Sequence, residues 1–279
     1  MKHLKLALAV IACGLATSAM ATPSAIYSLT GTATTTGNAT WVPCAGNTTA
    51  CSGGTNYGNT YTFANAYSGG PGASVTISAF GATTTTSAIT TAWVGDYTPA
   101  GLGITSQTPN ELVKSGPNYI PDVTGPHAID NNGGYETLLL SFTKAVTLGS
   151  LTAGYANGDS DAVILEYTGT GVPPTIANGT NTYASLLTSG WKLVAVDADI
   201  ATGSPTYIPF NGGPTASQYW MVGAYMPIGG LSAPSTISDF KINGFTATLN
   251  AVPEPGSIAL FGLAGVALAV SRRKRARKN

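Results

Sequence analysis

Arginine is absent between Thr22 and Val252, and that stretch holds only four lysines against eleven acidic residues. The chain's formal charge is nevertheless zero, because eight of its twelve basic residues lie at its ends: Lys2 and Lys5, then Arg272, Arg273, Lys274, Arg275, Arg277 and Lys278. The body between them carries about −7. Phosphate recognition needs clustered Lys and Arg for counterion release, so nucleic acid is excluded as a partner. The same charge argues against an anionic membrane surface, except at the basic tail. Charged residues make up 9% of the chain, where an average soluble protein has about 25%. This is not the profile of a cytosolic enzyme, nor the high-charge profile of a disordered chain. Histidine and cysteine are scarce too, with two and three in 279 residues. What is abundant is threonine and glycine, and the 43% apolar residues suffice for one sizeable core or two small ones.

The ends read as addresses. Lys2 and Lys5, the apolar run Leu6 to Leu15 and the small-x-small step Ala19-Met20-Ala21 predict a secretory signal over 1–21, cleaved between Ala21 and Thr22. So short an apolar run does not span a bilayer. Val10-Ile11-Ala12-Cys13-Gly14 is a weaker, lipoprotein-like alternative. Residues 251–279 have three parts: Pro253-Glu254-Pro255, an uncharged stretch from Gly256 to Ser271, and the basic run from Arg272. The middle part, 256–271, is expected to be a single transmembrane helix of marginal length, with snorkelling arginines at its end. The positive-inside rule then places the basic run in the cytoplasm and the body outside.

This end resembles the PEP-CTERM sorting signal of Gram-negative bacteria, over about 28 residues and with all parts in order. The resemblance implies that Pro253, Glu254 and Pro255 are recognised by exosortase, a membrane transpeptidase-like enzyme. It implies export, transient anchoring in the inner membrane through the C-terminal helix, and a final place at the cell surface or outside the cell.

The body, 22–250, divides into a Thr-rich part (22–110) and a more regular part (111–250). Between Thr30 and Thr108 lie 21 of the 40 threonines, which favour strands over helices. Alternation predicts strands over Thr60 to Ala64, Ser74 to Phe80 and Ile89 to Val94, with Val75, Ile77 and Ala79 on one face. An O-glycosylated stalk is the competing reading of these Thr tracts. Further strands are expected at Glu136 to Thr143, Val146 to Leu151, Ala162 to Tyr167, Trp191 to Asp197 and Tyr219 to Met226. A hairpin is expected from Thr236 to Leu249, turning at Asn243-Gly244. One helical turn is expected at Tyr183 to Leu187, capped by Asn181 or Thr182. The fold class that follows is all-β, a β-sandwich or jelly-roll-like body.

Chemistry-bearing residues are few. Cys44 and Cys51 flank a polar loop, and in an oxidising compartment they are expected to form a local disulfide. His127 has no Gly-x-Ser-x-Gly elbow to serve, and is read with Asp130 as part of a turn. Asp159 and Asp161, with Asp197 and Asp199, form two Asp-x-Asp steps; together with Asp130 they could supply a structural Ca²⁺ site. The same pairs could be read as a glycosidase acid and base, although sequence spacing does not set carboxyl separation. Trp41, Trp93, Trp191 and Trp220 could stack on sugars, but all lie in apolar strand contexts that favour the core.

The segments His127 to Asn131, Leu138 to Phe142 and Asp159 to Tyr167 also resemble a pattern shared by a group of exosortase-dependent surface proteins. The pattern has a Trp after the second strand where this chain has Gly154-Tyr155. The group carries no activity over to this chain. The expectation is therefore a non-enzymatic surface or extracellular-matrix protein associated with exopolysaccharide, with exosortase as its partner. The alternative is a carbohydrate-binding module, Ca²⁺-dependent if the aspartates converge.

Overall fold

The computed structural model describes residues 24–29, 57–58, 60–63, 73–97, 99–106, 112–115, 118–121, 127–158, 160–209 and 215–249. The expected signal peptide over 1–21, both body cysteines, Trp41, Asp159 and the whole of 250–279, with its expected helix, lie outside these residues. Among the described residues no helix is long and apolar enough to cross a membrane.

The described chain is nearly all strand. In order come β1 (Ser24–Ser28), β2 (Tyr57–Gly58), β3 (Thr60–Phe63), β4 (Val75–Ala82), β5 (Thr90–Asp96), β6 (Leu102–Thr105), β7 (Leu112–Ser115), β8 (Asn118–Pro121), β9 (Ile129–Asp130) and β10 (Tyr135–Ala156). Then follow β11 (Ala162–Tyr167), one helical turn α1 (Tyr183–Leu186), β12 (Trp191–Asp197), β13 (Pro205–Tyr207), β14 (Ser217–Ala224) and β15 (Asp239–Leu249). The order β15-β6-β5-β4-β10 closes on itself because β10 also pairs with β15, giving a five-stranded barrel. Beyond β10 the sheet continues through β14, β11 and β12; β1 lies outside β15.

The all-β class holds, but the body is built on a closed barrel and not on a clear sandwich. The reason lies in β10. Two strands were expected here, Glu136 to Thr143 and Val146 to Leu151; instead one 22-residue strand runs through both. Its first half pairs with β4 (Phe142↔Val75 to Tyr135↔Ala82) and with β14, and its second half pairs with β15 (Val146↔Leu249 to Ala156↔Phe240). The ladder with β14 breaks between Ser141 and Val146, and further irregularities follow along β15. Bulges of this kind bend a strand and increase its twist, which is what closure requires.

The expected hairpin is also corrected. Asn243-Gly244 does not turn the chain: β15 runs straight through it. A Cβ on Gly244 would sit 2.9 Å from the Tyr27 carbonyl, so this glycine serves the close approach of β1, which pairs with residues 244–248. Gly154 has a similar task. A Cβ there would fall 2.3 Å from the Ala100 carbonyl, which leaves no space for a tryptophan at this position.

Val75, Ile77 and Ala79 do share a face, and all three are buried in the barrel with Leu138, Leu140, Val222, Phe240 and Phe245. The opposite face is buried as well: Phe80, Val163, Leu165, Trp191 and Met221 pack beneath α1, whose Tyr183 and Leu186 cap this second core. Thr182 is the helix cap, in a reciprocal arrangement with Ser185. Tyr27 fastens β1 to the barrel. Its ring stacks on Phe245 at 4.6 Å, its hydroxyl donates to the Ala73 carbonyl at 2.6 Å, and burial pushes its pKa up to about 12.

Trp220, fully buried, sits at the joint of β10: its indole N–H donates to the carbonyls of Val146 (3.2 Å) and Ser217 (3.1 Å), across the break in the ladder. Trp220→Phe is expected to cost about 1–3 kcal/mol by stranding these carbonyls, and Trp220→Ala about 3–5 kcal/mol. Val172→Ala, at a side chain 75% exposed, should change little. Urea unfolding of the mature body checks all three.

Candidate functional site

The strand registers separate the body into two poles. One gathers the carboxylates: Asp130 lies opposite Asp239 where β9 meets β15, Asp197 ends β12 opposite Ala162, and Asp161 immediately precedes β11. The five aspartates expected to form a Ca²⁺ site do not gather as one set. Asp161 and Asp199 are joined, since the Asp199 N–H donates to Asp161 Oδ1 at 2.9 Å. Asp199 holds a left-handed backbone, φ 57°, to make this contact. Asp197 is near enough to feel the Asp161 charge. Asp130 belongs to the other group, beside Asp239, and its Oδ1 accepts from the Asn132 N–H at 2.8 Å, the backbone turn expected there. Asp159 lies outside the described residues, and among those described no three His, Cys, Asp or Glu side chains form a metal-holding group.

Asp197 is the anomalous member. It is 2% exposed, and its Oδ2 is buried without a hydrogen-bond partner among the described residues. Burial, with the Asp161 charge second, pushes its pKa up to about 6.

Sequence reasoning missed a second residue here, Lys241. It is 2% exposed, with Nζ 4.2 Å from the centre of the Tyr155 ring and 5.2 Å from that of Tyr97. Burial lowers its pKa, while Asp239 and Asp130 act in the opposite direction. The signal was its place between Phe240 and Ile242, buried neighbours on the same strand. Tyr155, which with Gly154 stands where the related pattern has its Trp, covers this lysine.

The other pole has an uncharged surface groove of about 250 Å³, lined by Tyr167, Thr168, Gly169, Ser217, Gln218 and Tyr219 among others. Tyr167 and Tyr219 meet edge to face at 6.1 Å. A Cβ on Gly169 would lie 2.5 Å from the Tyr167 phenol, so that glycine makes room for the ring. None of the three described tryptophans lines the groove: Trp191 packs on Tyr167 from behind at 5.4 Å, and Trp93, Trp191 and Trp220 are at most 5% exposed and serve the core. His127 contributes structure through its backbone, its carbonyl passing 2.0 Å from where a Cβ on Gly103 would be.

For Asp197 the sign follows from the raised pKa. The folded state favours the neutral acid, so the cost of ionisation is fully present above about pH 6, shrinks as pH falls, and is gone below the ordinary value of 3.8. Asp197→Asn is therefore expected to be more stable than the wild type at about pH 7, by on the order of 2 kcal/mol. The difference should close by about pH 4. Urea midpoints of both proteins across this range test the expectation.

Comparison with curated proteins and with solved structures returned no match. A family model did match the C-terminal end, over residues 251–275, described as the PEP-CTERM protein-sorting motif. This interval contains Pro253, Glu254 and Pro255, the uncharged stretch and the start of the basic run. The motif begins two residues after β15 ends at Leu249. The chain carries a PEP-CTERM protein-sorting motif directly behind its last barrel strand.

Proposed function

We propose that this is a non-enzymatic surface or extracellular-matrix protein of a Gram-negative bacterium. It is exported and held in the inner membrane by 256–271 until exosortase processes it near Pro253-Glu254-Pro255. The observation that carries this reading is the sorting motif at 251–275, which marks an exosortase-sorted exported chain. Composition supports the rest: an Arg-free, Thr-rich, acidic body suits an extracellular coat more than a catalyst. The described strands begin at Ser24, two residues after Thr22, and end at Leu249, two residues before the motif. Replacing Pro253, Glu254 and Pro255 together by Ala is expected to leave a mature protein heavier than the wild type in cells that contain exosortase. Mass spectrometry of the intact protein checks this, and an unchanged mass would sink the sorting reading.

A carbohydrate-binding module is the second reading, and the groove at Tyr167 and Tyr219 favours it. Aromatic rings flanked by hydroxyl and amide groups, with no charge in the lining, offer stacking and hydrogen bonds to a neutral sugar. On a glycan array Tyr219→Ala should weaken binding at least tenfold while the melting curve is retained. Binding through this groove should also survive chelator, since no carboxylate lines it. Absence of binding by the folded wild type to any array glycan would count against the module.

A further inference from the structure

The termini of the barrel leave from one place. Ser24 at the start of β1 pairs with Thr248 near the end of β15, and Leu249 pairs with Val146, which in turn pairs with Ser217. This is the pole of the Tyr167 groove, because Ala145, Ser217 and Gln218 line that groove. The carboxylates lie at the other end of the same strands: Asp239 opens β15, Asp197 closes β12, and Asp161 and Asp130 flank them. At the terminal pole the exposed charges among the described residues are cationic, Lys144 in the break of β10 and Lys192 near the start of β12. Glu166, opposite Lys192, is buried and accepts from Thr215.

The geometry points to an interaction surface for an anionic lipid membrane at the terminal pole, with the acidic pole turned outward, while the chain is tethered before processing. This rests on the reading of 256–271 as a membrane anchor. Only residues 250–255 separate β15 from that segment, a reach of roughly 20 Å at full extension. The 11 residues of β15 span roughly 35 Å, so the two poles differ greatly in their distance from the bilayer. A tether of this length restricts the body without fixing its rotation. The charge distribution fixes it: lipid phosphates attract Lys144 and Lys192 and repel the aspartates, within a Debye length of about 8–10 Å. The net charge of the body, which taken alone argues against membrane contact, hides this separation. Processing would then take place against the terminal pole, with the acidic pole already presented to the exterior.

The test uses the chain from Thr22 to Asn279 in vesicles of phosphatidylglycerol and phosphatidylcholine carrying a headgroup nitroxide. A fluorescent amino acid is placed either at Gln218, on the terminal pole, or at Ala198, between Asp197 and Asp199; both sites are exposed. Quenching at 218 is expected to exceed that at 198 severalfold. The charge reversal Lys144→Glu with Lys192→Glu should bring the ratio towards one, with melting curves confirming that the body stays folded. Equal quenching at the two sites, or a ratio that ignores the charge reversal, would overturn the proposal while the chain remains inserted. Failure to insert would remove the anchor itself, and with it this proposal. The sorting reading is judged separately, by mature mass in cells, because the vesicles contain no exosortase.

Discussion

Strand β10 has to pair with two different sets of neighbours, and the barrel exists because it bends to do so. Its first half lies between β4 and β14, and its second half runs along β15. A straight strand of 22 residues would leave one set of backbone groups unpaired, at a cost that buried amides do not tolerate. The break between Ser141 and Val146 avoids this, and the Trp220 indole reaches across it to the carbonyls of Val146 and Ser217, the pair at which the ladder resumes. With β10 bent, β15 can return along its second half and bring β6 into reach, since Ile242 pairs with Leu102. The interior then fills with residues from both halves: Leu138 and Leu140 from the first, Leu148 and Leu151 from the second.

The same bend sorts charge and function in space. Asp239 and Asp130 lie away from the bend of β10, while Ser24, Leu249, the Tyr167 groove and Lys144 gather near it. A sorting signal two residues beyond Leu249 is therefore attached to the less acidic end of the body. At the far end, Lys241 sits buried over Tyr155 with Asp239 and Asp130 near, and Asp197 is held where its ionisation is disfavoured. Buried charges of this kind add little net stability, because desolvation offsets most of the attraction.

Much of the strand content was legible. Ala162–Tyr167 and Trp191–Asp197 have the expected limits, and α1 with its Thr182 cap falls within the expected turn. These elements are bounded by local signals, which a window of a few residues contains. The failures came where a local signal had a non-local purpose. Asn243-Gly244 has the residues of a hairpin turn, yet Gly244 is small so that Tyr27 can approach. Lys144-Ala145, expected to separate two strands, lies instead in the bend of a continuous one. The aspartate spacings gave Asp161 and Asp199 a real contact but could not say that Asp130 would join Lys241 instead.

The sequence by itself determined the address: Pro253-Glu254-Pro255, the uncharged stretch and the basic run are contiguous, and contiguous signals are read as linear text. It also determined the all-β class, because Thr content and two-residue alternation are properties of single strands. Only the tertiary structure decided that the strands close into a barrel, that the described tryptophans are spent on packing, and that Asp130, Asp161, Asp197 and Asp239 stand at the pole opposite Ser24 and Leu249. Each of these depends on which strand lies beside which, and strand pairing joins residues as far apart as Ser24 and Thr248 through backbone hydrogen bonds that carry no side-chain label.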